Sequence, residues 1–263
     1  MKCLDLYIYA LKVGIVELYS SVALGLYMKI EKNKISQYRN SKYHQIIKKK
    51  LLIIYDLLIE KMNEDQPSII LCEYAFYTSG IFLMNNFKLD INFPEFQNYI
   101  SNSEPLIQIA AIWFFYSLTL IPNFLQDQEL DVILFLKDLH EIYQDATYLV
   151  KEQLDICIIS YLKLDFYDKY QIFDLLRDGF TDTLVQIIQT KRNEVFDMLS
   201  FVNEIFEAAI EEQCIEQFSN QFMELGGFCA IQEFIDEPLP NQNEQIPDLA
   251  RSIISRFKPP DSF

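Results

Sequence analysis

A chain of 263 residues with six glycines, nine prolines and 51% hydrophobic residues has the apolar content for a packed core, which excludes a disordered or collagen-like protein. Its net charge of −16, from 38 acidic and 22 basic residues, reads either as a solvated surface or as one that repels nucleic acid and attracts basic partners. The five cysteines, Cys3, Cys72, Cys157, Cys214 and Cys229, are odd in number and widely separated. Neither a disulfide framework nor a zinc site is expected, and the thiols read as free groups in a reducing compartment.

In chain order, residues 3–28 (CLDLYIYALKVGIVELYSSVALGLYM) are apolar enough to raise the question of a membrane segment. Lys12 and Glu17 stand inside that run, where charges are costly in a bilayer, so a packed helix is expected and no membrane span. Residues 1–51 carry ten Lys/Arg against three acids, whereas the remainder carries 12 against 35. The basic stretch 29–50, KIEKNKISQYRNSKYHQIIKKK, precedes an apolar helix and reads either as a solvated helix face or as a binding arm. These features set residues 1–51 apart from 52–258, with 259–263 as a tail.

From there the 3.6-residue period dominates. Ile46, Leu51, Ile54, Leu57 and Leu58 predict a helix running to Lys61; Leu130, Ile133, Leu134, Leu136 and Ile142 predict another. Ile172, Leu175, Leu176, Leu184, Ile187 and Ile188 predict one or two more, and no segment shows the period-two alternation of a strand. Breaks are expected at Asn63–Pro67, Asn92–Pro94, Pro122, Gly179, Gly226–Gly227 and Glu237–Gln245.

The breaks are spaced like repeats. The segment PLIQIAAIWFFYSLTLI (105–121), moved by 43 residues, meets YLVKEQLDICIISYLKL (148–164), and moved again meets KRNEVFDMLSFVNEIFE (191–207). The aligned positions are Trp113, Ile156 and Leu199, followed four residues later by Ser117, Ser160 and Asn203; an earlier copy reads Tyr74 and Thr78. Such a period lies in the range of armadillo and HEAT units, which bury their apolar faces by stacking on one another. The expectation is an all-α, right-handed α–α superhelix, an armadillo/HEAT-like solenoid of about four to five repeats.

The stretch EQFSNQFMELGGFCAIQEFIDEPLPNQNEQIPDLARSIISRF (216–257) resembles the last armadillo repeat of the importin-alpha family: a helix ending at Gly226–Gly227, a second helix from Phe228 to Asp236, a polar acidic loop and a last helix. IQIAAIWFFYSLT (107–119) is similar to the third helix of a repeat in that family. There a Trp stacks on the aliphatic part of a peptide Lys, and an Asn four residues on bonds the peptide backbone. At i and i+4 both leave one helix face. Here no copy keeps both residues, and Trp113 is the single Trp. The resemblance implies a non-catalytic adaptor holding a basic peptide or protein partner at Trp113, Ser117, Ile156, Ser160, Leu199 and Asn203, with Asp155, Glu204, Glu207 and Glu211 making the concave face acidic. It implies a cytoplasmic or nuclear place and a role in nuclear import. The other reading is a scaffold subunit of a larger assembly that recognises no nuclear signal.

Chemistry-bearing motifs are lacking. His44 and His140 stand apart from any ligand spacing, and no GxGxxG, GxxxxGK[ST], GxSxG or HExxH occurs. No enzyme activity, cofactor or metal is therefore expected.

Overall fold

The computed structural model describes residues 5, 8–9, 44–63, 68–84, 87–89, 91–127, 130–164, 169–190, 195–237 and 245–259. Most of the stretch 3–28, the basic segment 29–43, Cys3 and most of the loop 237–245 lie outside the described residues. Every regular element described is helical, with no strand among the described residues. The helices are α1 (His44–Met62), α2 (Ile69–Met84), α3 (Phe93–Gln97, continued by a 3-10 turn Asn98–Ser101), α4 (Pro105–Thr119) and α5 (Phe124–Asp127). There follow α6 (Val132–Asp145), α7 (Tyr148–Leu162), α8 (Lys169–Leu175), α9 (Thr181–Gln189), α10 (Val195–Glu211), α11 (Ile215–Glu224), α12 (Gly227–Asp236) and α13 (Gln245–Phe257). No described helix is long and apolar enough to cross a membrane.

The boundaries have local causes. Asn92 accepts from the Glu95 amide at 3.4 Å and donates to the Glu95 carboxylate at 3.2 Å, which caps α3 beside Pro94. Asp131 caps α6 by accepting from the Leu134 amide at 3.0 Å. Leu175 does not end its helix. The backbone continues through Leu176–Phe180, where Gly179 at φ 103° kinks it into α9. Gly226 plays the same part between α11 and α12, at φ 80°. L-residues resist that region because Cβ crowds the following carbonyl, whereas glycine enters it freely.

The chain divides into two compact units: residues 1–129 with 147–153, and residues 130–146 with 154–263. The division expected at residue 51 falls inside α1, in which Leu51, Ile54, Tyr55, Leu58 and Met62 are buried.

In the first unit α2 packs on α1 and, along most of its length, on α4. Phe76 lies 6.2 Å from Phe114, Tyr77 lies 5.1 Å from Trp113, and Gly80 faces Ser117, so α2 and α4 run parallel. A Cβ on Gly80 would lie 2.5 Å from Ser117 Oγ and 2.7 Å from the Trp113 ring, so the absent side chain sets how closely the helices approach. Phe76 anchors the interior between Phe96 at 5.0 Å, Tyr99 at 5.2 Å and Phe114.

In the second unit α6 touches α9 and α9 touches α12, while α10 touches α13. There α6 also touches α8, α11 touches α9, α10 and α12, and α12 packs on α13. Phe206 of α10 fills the end of this core: Phe218, Phe222, Phe228 and Phe257 surround it at 4.7–5.6 Å.

Candidate interaction surface

The face of α4 that points away from the core carries Leu106, Ile109, Trp113, Tyr116 and Leu120, spaced as neighbouring turns of one helix stripe. Leu106 and Leu120 are each 53% exposed, and Trp113 is half-buried. Parallel to it, α2 offers Ile70 (48% exposed) and the half-buried Tyr74 and Tyr77. Tyr77 meets the Trp113 ring edge-on, and Tyr74 meets Tyr77 edge-on at 6.3 Å. The inner sides of Tyr74 and Trp113 rest on the cluster of Leu51, Ile54, Tyr55, Leu58 and Phe82. α4 has no charged residue and α2 has one, Glu73, whose carboxyl is raised above the usual carboxylate range by desolvation. The result is an aromatic surface in a strongly charged chain.

The expected partner residues divide by burial. Ser117 follows Trp113 on α4 but is fully buried, its hydroxyl donating to the Phe114 carbonyl at 2.6 Å. It serves the α2–α4 contact and offers no surface to a partner. Ile156 and Ser160 are both half-buried and share the outer stripe of α7. Leu199 is fully buried, because the outer stripe of α10 runs through Phe196, Ser200, Asn203, Glu207 and Ile210 and rotates Leu199 inward. Asn203 is half-buried, with an Oδ1 that is enclosed and accepts no hydrogen bond. Thr78, the partner of Tyr74 in the earlier copy, is fully buried. Trp113 and Ser117 belong to the first unit, and Ile156, Ser160, Leu199 and Asn203 to the second.

Of the four acids assigned to this face, Asp155 is fully buried and belongs to the interior. Glu204 and Glu211 are exposed, and Glu207 pairs with Arg256 at 2.5 Å. The last turn of α10 holds no basic residue, so its acids sit against the negative end of the helix dipole, where a cation is favoured. Tyr77 and Tyr116 were not singled out from the sequence. Their signal is there, at three- and four-residue steps from Tyr74 and Trp113, but a tyrosine on an apolar helix face reads equally well as core.

Among the described residues no group of three or more His, Cys, Asp or Glu side chains is gathered as a metal would require. His140 is the one imidazole whose surroundings are described: its Nδ1 lies 2.8 Å from Thr183 Oγ1 and its ring 5.7 Å from Phe180, edge-on. Both the family comparison and the comparison with curated proteins find no match to this chain.

Proposed function

We propose that this chain is a non-catalytic protein-binding adaptor of armadillo type, resembling importin-alpha. Its helices form a right-handed superhelix, and its third helices hold a basic peptide or protein partner. The observation that carries the reading is Trp113: a half-buried indole on α4, held edge-on by Tyr77, in a stripe free of charged side chains. An indole face so presented attracts a Lys or Arg side chain by cation–π and apolar contact. Support for the repeat comes from the second unit, where a left-handed glycine stands between α8 and α9 as between α11 and α12. Support for a basic partner comes from the exposed Glu204 and Glu211 on α10, the helix of Asn203. Nuclear import is the role this chemistry fits, in the cytoplasm and nucleus.

The scaffold reading is favoured by a different observation. Ile69, Ile70 and Leu106 are 38%, 48% and 53% exposed at the shared N-terminal end of α2 and α4, an apolar edge suited to a folded partner.

Fluorescence anisotropy with Lys/Arg-rich peptides and composition-matched acidic controls separates the two. The adaptor reading expects selective binding of basic peptides that weakens as salt rises, since exposed charges are screened within about 10 Å at 0.1 M. Trp113→Ala should weaken that binding by about 1–3 kcal/mol, as loss of an aromatic anchor does. A thermal melt of the same variant should show less than the ~3–5 kcal/mol lost on truncating a fully buried aromatic. Equal binding of basic and acidic peptides would remove the adaptor reading.

A further inference from the structure

We draw no further inference here: the strongest candidate, the apolar surface patch of Ile70, Leu106 and Leu120 along α2 and α4, belongs to the surface already described, and nothing in the structure shows what covers it.

Discussion

The imidazole of His140 on α6 and the hydroxyl of Thr183 on α9 meet at 2.8 Å across 43 residues of sequence, the step at which the α4 segment matches the α7 segment. Thr183 is fully buried, and Gln144 also reaches its oxygen, at 3.4 Å. Burial lowers the His140 pKa from its ordinary value, opposed by Asp182, Glu141 and Asp178.

A base whose pKa is lower in the fold than in the unfolded chain binds protons more readily when unfolded. Its stabilising contribution is therefore complete above the unfolded value near 6.5 and declines as pH falls below it. Urea melts at pH 7.5 and 5.5 should show a loss of stability at the lower pH that is smaller in His140→Gln. Thr183→Val, which takes the partner away, should cost about 1–3 kcal/mol at pH 7.5.

Gly80 sets the spacing of α2 and α4. An alanine in a helix ordinarily gains about 1 kcal/mol over glycine. Here its methyl would meet Ser117 and the Trp113 ring, so Gly80→Ala should instead destabilise by about 1–3 kcal/mol. Adding Ser117→Ala, which deletes the nearer obstacle, should recover part of that loss. A double-mutant cycle by chemical denaturation measures the coupling, and strict additivity would contradict the packing described.

Two helix ends invite opposite substitutions. Gly226 has open space where a Cβ would go, so Gly226→Ala should cost about 1 kcal/mol, from backbone conformation alone. α10 ends on Gln213 at φ 57°, with the Cys214 amide bonded to the Ala209 carbonyl at 2.9 Å. That is the position glycine favours in this cap. Gln213→Gly should raise stability by a few tenths to about 1 kcal/mol, read as a shift in denaturation midpoint.

Cysteine reactivity should follow burial. Cys72 and Cys157 are enclosed, and burial pushes the Cys72 thiol up to about 11 and that of Cys157 higher still. Thiolate is the reactive form, so iodoacetamide at pH 8 should modify exposed Cys229 before Cys72 and Cys157, which it should reach only on unfolding. Mass spectrometry of a time course checks the order.

Much of the helical framework was legible because apolar residues at three- and four-residue steps leave one solution. Leu51, Ile54 and Leu58 define the inner face of α1, and Gly226–Gly227 marks the turn before α12. The surface was less legible. Repeat alignment put Leu199 level with Trp113, yet burial of a helix residue depends on rotation about the axis, and one residue turns the face by about 100°. Asp155 was read as a surface acid because charge alone carries no record of depth.

The ring of Phe257 lies 4.7 Å from that of Phe206 and within 5° of parallel to it. Phe257 closes α13, so the final helix works as a stopper on the aromatic stack it covers. A chain cut before Gln245 would uncover the side of Phe206 on which Phe257 stacks, an adhesive patch that self-association or chaperone capture would find. Copies lacking α13 should therefore betray themselves by precipitating rather than by binding weakly.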